Sequence, residues 1–495
     1  MLASAAPGRR AAISSRDADC TVPLAPLQRR YWEYVTQFGS LLAERMCVCA
    51  VRVLGPLDVE VLRRSLEALI NRHESLRTRL VTVGGFPQQY IDVPRDYRLD
   101  IVDLSGPSVE DRTSKAARLV QEFVDQKIDL SVGPLFAARL WKLSAVEHVF
   151  VLMISHFVSD GMSNGILVRE LWTLYDQAAR GQSFSLPALP IQYPDFAVWL
   201  QQTHMAWLKN HESYWRDHLK GLRRLEIPSD LRSEETHDPV GLTINFPFGA
   251  RLSGQLEECA RRERTLLPLV VLTVYAIVMS HWCGQDDLLI LMLSHGRQGR
   301  PELQNMIGYL ASPLHLRVTL DDEDTFRSLL IRIQREFSCA FLHEDFGRVP
   351  DLLPECQSEV AFNWQPTQWV GGRLDHHVIL ESASAIDQRL GESQGSPHGN
   401  NDSRIQIEPF AARSPEVLKF APSFFYASSG IHMTVGYRPD LLTQQSITWL
   451  ARNVLGAAEQ FAGNPGTRVS TVTGRMRWAD DRNASSCSAR EPKVS

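Results

Sequence analysis

Within VFVLMISHFVSDGMSNGILVREL, residues 149–171, a histidine, an aspartate, two glycines and three serines lie between an apolar run and a helical pattern. Three chemistries are open to them. Ser163 stands in Gly-Met-Ser-Asn-Gly, a match to the G-x-S-x-G pattern in which a serine hydroxyl attacks a carbonyl. Ser155 and His156 adjoin, as a nucleophile and its base would. His156 alone, four residues before Asp160 and Gly161, is a candidate proton acceptor, because an unperturbed imidazole titrates at about pH 6.5.

The elements that must carry these groups separate the three. Val149–Ile154 is a short apolar run, β-branched in places, and reads as a buried strand with Ser155 and His156 at its end. From Asn164 on, Ile166, Leu167, Leu171 and Leu174 recur at helical spacing, with Asp160 or Ser163 as the cap. A nucleophile elbow needs its serine at the sharp turn directly after the strand, whereas HFVSD intervenes here, and no HGGG-type oxyanion loop stands upstream. Ser163 is therefore expected to hydrogen-bond at the start of a helix. Adjacent strand residues point to opposite faces, so the Ser155 hydroxyl and the His156 imidazole do not form a dyad. Zinc-binding spacings such as HxxxH or HExxH are absent, Asp375-His376-His377 lacks partners at ligand spacing, and no glycine-rich phosphate loop occurs. A single histidine at the end of a strand remains.

The 495 residues, 44% hydrophobic and 22% charged, are enough for two substantial cores, and two lobes are expected. A net charge of −5 gives none of the basic footprint that nucleic acid or anionic membranes select. The eight cysteines are scattered; Cys47 and Cys49, two apart, read as small core residues on one sheet face in a reduced, cytoplasmic protein. The N-terminal twin arginine is followed by no apolar segment, so residues 1–20 are expected to be a disordered tail rather than an export signal. LLPLVVLTVYAIVMS (266–280) is too short to cross a bilayer and reads as a buried helix.

Along the chain the pattern is α/β. Residues 57–81 carry Val59, Leu62, Leu66, Leu69 and Ile70 on one helical face, and a hairpin turning at SAVEH precedes the histidine. An aromatic helical stretch from Tyr193 closes an N-terminal lobe, residues 21–222. A charged, proline-containing linker (223–240) and a C-terminal lobe (241–475) follow. In the latter a strand, two helices, DDLLILMLS, the loop HGRQGRPE and LHLRVTL succeed one another. Residues 388–404 read as a mobile insertion and 476–495 as a second disordered tail.

SHFVSDG resembles the HHxxxDG signature of the condensation domains of nonribosomal peptide synthetases, which share a superfamily with chloramphenicol acetyltransferase and CoA-dependent acyltransferases. Other family-like segments occur in order: VPLAPLQRRYW (22–32), RHESLRT (72–78), YPDFAVWLQ (193–201), GQDDLLILMLSHGR (284–297), IGYLASPLHLRV (307–318), HEDF (343–346), FNWQP (362–366) and NPGTRVSTV (464–472). The resemblance implies two acetyltransferase-like lobes in a V with a central tunnel. It assigns the catalytic role to His156 and an oxyanion-facing N–H to Gly161. It also implies a loop-holding pair of Asp160 with Arg297, and tunnel positions at Ser155, Ser163 and Asn363. Ser155 replaces the first signature histidine, and LAS (310–312) replaces the usual VNT-like segment.

The implied reaction is acyl transfer from a phosphopantetheine thioester to an amine or hydroxyl, giving amide or ester, with no metal and no bound cofactor. Neither an adenylation-type nucleotide loop nor a carrier-like Gly-Gly-x-Ser segment is found, which leads to the expectation of a free-standing, monomeric enzyme. Its donor would arrive in trans on an acyl or peptidyl carrier protein, and its acceptor would be a small-molecule amine or alcohol or a second carrier-bound group. The alternatives are an acyl-CoA donor and a catalytically silent recruitment domain.

Overall fold

The computed structural model describes residues 13–16, 21–37, 42–43, 46–106, 109–231, 242–344, 346–353, 358, 360–365, 406–409, 420–427, 429–474 and 476. The expected insertion at 388–404 and the DHH triplet lie outside the described residues.

Two mixed α/β layers carry most of the buried side chains. In the first sheet the strand order is Gln406–Pro409, Met46–Leu54, Glu147–Ser155, Phe136–Ser144 and Asp100–Asp103. Glu147–Ser155 is its middle strand, paired antiparallel to a neighbour on each edge. From His148 to Ser155 every residue is buried, which is why its sequence runs apolar without alternation. The hairpin with Phe136–Ser144 forms as the SAVEH turn predicts. Cys47 and Cys49 lie in the Met46–Leu54 strand, and burial pushes both thiols up to about 12, so they are inert core residues.

The helices Val59–Arg72, Val109–Val124 and Gly161–Ala179 pack with this sheet into one cluster. Val59–Arg72 starts where the Asp58 carboxylate accepts from the amides of Glu60 and Val61, each 3.0 Å away, and it buries Leu62, Leu66, Leu69 and Ile70.

The second sheet runs Leu242–Pro247, Gly430–Tyr437, Phe420–Ala427, Ala361–Gln365, Asp287–Ser294 and Ser312–Thr319. Leu267–Cys283 is its buried helix, apolar on every side and stopped by Gly284 at φ 64°. No single helix among the described residues is long and apolar enough to cross a membrane.

Several boundaries differ from the sequence reading. The expected tail at 1–20 is docked over Ile13–Arg16: Ile13 is buried in one apolar cluster with Tyr193, Phe196, Leu303 and Met306, and Arg16 pairs with Asp195 and Glu74, each at 2.8 Å. The expected linker begins later than residue 223, because Leu225 and Ile227 are core residues and the Asp230 amide donates to Leu441. Met476, expected in the second tail, is buried in the same core. The aromatic stretch is two helices, Tyr193–Gln202 and His204–His218, broken at Thr203. An edge strand at Gln406–Pro409, from the C-terminal half, completes the first sheet antiparallel to Met46–Leu54.

Candidate active site

The middle strand ends in a tight turn built on Ser155. Its carbonyl accepts from the Val158 amide at 3.1 Å and from the Ser159 hydroxyl at 3.2 Å, and its own hydroxyl accepts from the Phe157 amide at 3.2 Å. Ser155 is fully buried, facing inward, as strand alternation requires once His156 faces the other way. His156 is half-buried, and its Nδ1 lies 3.0 Å from the Ser159 carbonyl oxygen. A carbonyl only accepts, so in the neutral ring Nδ1 carries the proton and Nε2 carries the lone pair.

Asp160 ends the turn and starts the helix Gly161–Ala179 as its N-cap. Its carboxylate accepts from the Ser163 amide and the Ser163 hydroxyl, both at 2.8 Å. It also accepts from Arg297 at 2.9 and 3.2 Å, and from the amides of Leu310 and Ala311, each at 3.0 Å. Asp160 and Arg297 are both wholly buried. Burial opposes the charge on Asp160, but the Arg297 guanidinium and the bonds from Arg297 and Ser163 outweigh it and hold the carboxyl below the usual carboxylate range.

Arg297 donates further to the carbonyls of His295 and Met306, each at 2.9 Å. One carboxylate therefore joins the signature turn, the 295–297 segment and the 306–311 loop. Gly161, the first residue of the helix, has one of the N–H groups that no intrahelical carbonyl accepts.

Ser163 is fully buried. With its one proton directed to Asp160, its Oγ accepts from the Gly308 amide at 3.1 Å, and the Gly308 carbonyl oxygen lies at the same distance as an alternative acceptor. It is a helix-start and loop-bridging residue. Asn363 stands on a strand of the second sheet, where its Nδ2 donates to Ser423 Oγ at 3.1 Å; it takes no part in the Asp160 network. The structure thus gathers His156, Asp160, Gly161, Ser163 and Arg297, with Ser155 behind them, while Asn363 bonds within the second sheet.

Several participants escaped the sequence reading. Ser159 acts through its backbone carbonyl, for which no side-chain signal exists. Tyr309 lies against the imidazole, the ring centroids 5.3 Å apart. His295 accepts from the Arg297 amide at 3.3 Å through Nδ1, and burial, together with the nearby Arg297 charge, holds it below the ordinary histidine value. The RHESLRT segment contributes framework: His73 is buried and bonded to Glu170 at 2.8 Å, and the Ser75 hydroxyl donates to Ile307 at 2.6 Å. Motif order is the available signal for these last contacts, since RHESLRT and IGYLAS are both family-like segments.

Residues 19–474 match the condensation-domain family. A linear gramicidin synthase protein of Brevibacillus parabrevis is 33% identical over 459 residues, which is 91% of this chain but 9% of that protein. The chain thus spans only a small part of the curated relatives it matches. Among solved structures, the X-domain from teicoplanin biosynthesis superposes with a TM-score of 0.74 at 22% identity, covering 93% of this chain and 99% of that one. The first condensation domain of the calcium-dependent antibiotic synthetase, bound to a substrate analogue, gives 0.69 at 18% identity, covering 91% and 99%. The fold is the chloramphenicol-acetyltransferase-like one, and the chain belongs to the condensation-domain family of nonribosomal peptide synthesis.

Proposed function

We propose that the chain transfers an acyl group from the phosphopantetheine thioester of a carrier protein to an amine or hydroxyl, forming an amide or ester. The observation that carries this reading is the 3.0 Å contact between His156 Nδ1 and the Ser159 carbonyl oxygen: a carbonyl only accepts, so in the neutral ring Nε2 is the basic nitrogen. In the step, the acceptor's nitrogen or oxygen bonds to the thioester carbon as Nε2 takes its proton. The carbonyl oxygen becomes an oxyanion, for which the Gly161 N–H is the proposed donor. Collapse breaks the carbon–sulfur bond, and the sulfur leaves as a thiol with the proton returned by His156. Enclosure of both substrates between the lobes supplies the proximity term.

Single-turnover transfer from a loaded carrier tests this. His156→Ala is expected to abolish transfer while the thermal midpoint is kept, because a half-buried imidazole is lost rather than a core residue. Offering one acyl group on a carrier, on CoA and on a pantetheine mimic locates the donor: preference for the carrier supports the proposal, and equal use of acyl-CoA refutes the carrier part.

A second reading is a catalytically silent domain that recruits a tailoring partner. The serine at position 155 and the fold likeness to an X-domain that has been solved in complex with OxyB favour it. Wild-type protein that gives no transfer from any donor, with His156 in the stated tautomer, would support that reading.

A further inference from the structure

The loop at 306–311 brings one aromatic ring to the candidate base, and its backbone is fastened on both sides of that ring. Before Tyr309, the Gly308 amide donates to Ser163 Oγ at 3.1 Å. After it, the amides of Leu310 and Ala311 donate to Asp160 at 3.0 Å each. Its own carbonyl accepts from the Tyr193 hydroxyl at 3.2 Å.

Close packing tightens the same loop. A Cβ on Gly308 would stand 2.0 Å from Cδ2 of the Tyr193 ring, and one on Gly296 would stand 2.0 Å from the Leu310 carbonyl oxygen. The anchors, Asp160 and Ser163, follow His156 by four and seven residues in the signature itself. Imidazole and phenol are therefore held in one frame, with centroids 5.3 Å apart and planes inclined at 53°.

The hydrogen bond at Nδ1 sets the tautomer only while the ring keeps its orientation, because a swing of the ring about Cα–Cβ or Cβ–Cγ breaks that bond and with it the tautomer preference. A side chain against the ring face restricts that swing. From this we infer that Tyr309 is a positioning residue for His156: its clamped ring holds the imidazole in the orientation that presents Nε2 to the acceptor. The inference rests on His156 being the proton-handling group of the proposed transfer. Its structural content, a restrained imidazole, is measurable without turnover.

The test uses the full chain labelled with 15N at histidine, with the His156 signals assigned by their loss in His156→Ala. In the wild type and in Tyr309→Phe, which keeps the ring, the imidazole nitrogens are expected to report one neutral tautomer with Nδ1 protonated. Tyr309→Ala and Tyr309→Leu are expected to show shifts averaged toward mixed tautomers and rotamers. In these two variants kcat is expected to fall by about tenfold to a hundredfold with KM little changed, and Tyr309→Phe to restore it.

Wild-type histidine signals and wild-type kcat in Tyr309→Ala would overturn the inference. If that variant does not fold, the same result in Tyr309→Leu overturns it equally. Should no donor be turned over by any form while the histidine signals still respond to Tyr309→Ala, the positioning role stands and the catalytic reading fails. If the signals stay fixed and only kcat falls, the positioning role fails and the catalytic reading stands.

Discussion

Replacing Asp160 by alanine removes one carboxylate and strands five donors: the Arg297 guanidinium, the Ser163 hydroxyl, and the amides of Ser163, Leu310 and Ala311. Breaking a wholly buried pair by deleting one partner costs about 3–5 kcal/mol. Each buried amide left without an acceptor costs about 1–3 kcal/mol before relaxation and water entry reduce it. Arg297 keeps the carbonyls of His295 and Met306, which softens the first term. We expect a net loss of about 4–6 kcal/mol, a large part of the roughly 5–15 kcal/mol that holds a typical domain.

Arg297→Met should cost less, because Asp160 retains its amide and hydroxyl donors. The double variant should fall short of the sum of the singles by about 2–4 kcal/mol, since neither charge is then left alone. Urea unfolding of the four proteins gives this coupling, and a value below about 0.5 kcal/mol would refute the pairing as the loop's main support. Linkage gives a second check. The carboxyl is held below its unfolded value, so its contribution is present above the unfolded carboxylate range and is lost as pH falls through the folded value; Asp160→Ala should flatten that acid limb.

Ser163→Ala should lower stability by about 1–3 kcal/mol by removing the bridge to Gly308, while transfer persists and a serine-directed phosphonate fails to label the wild type; labelling at Ser163 would revive the hydrolase reading. Gly308→Ala should lower the melting temperature through its clash with Tyr193, whereas Gly165→Ala, with nothing within 4 Å and a helical backbone, should hold or raise it. His343 is pushed down to about 4 by burial and by the nearby His211 and His218, and its Nδ1 meets that of His211 at 2.8 Å. His211 is itself lowered, by burial and by Arg348, and Glu336 bonds to His218. A lowered histidine binds its proton in the unfolded chain first, so melting temperature should fall as pH drops from about 6.5 toward 4 and should fall less in His343→Phe. A pH-independent melting temperature over that range would contradict this.

Elements whose cores are built from their own residues were legible in the sequence. The strand at 147–155, the helices at 59–72 and 267–283, and the hairpin between the two strands before the histidine all follow from local periodicity and turn chemistry. What local pattern missed depends on distant partners. Leu225 and Ile227 look like linker residues because two apolar side chains in a charged stretch carry no period, yet the C-terminal core needs them. Gln406–Pro409 is short and polar, and only its pairing with Met46–Leu54 makes it a strand. Ile13–Arg16 is ordered by Arg16 reaching Asp195 and Glu74, a contact across 179 and 58 residues that no window of sequence contains.

The site divides along the same line. Asp160 and Arg297 were found through motif order, and their meeting is a side-chain event that charge and family position both signal. The tautomer of His156 depends on the Ser159 main-chain carbonyl, which every residue type offers equally, so no reading of side chains reveals it. This bears directly on Ser155. Its hydroxyl is occupied by the Phe157 amide at the buried side of the turn, while the Nδ1 contact is made four residues along the chain from it. That contact requires the turn and not an imidazole at position 155. Serine is small enough to close the turn on itself and carries the acceptor that the turn needs. Serine in place of the first signature histidine thus changes what lies behind His156, while the contact that sets its tautomer is present. Counting signature residues would class this chain as impaired, whereas the contact of Nδ1 with the Ser159 carbonyl, which directs the lone pair of the neutral ring to Nε2, is kept.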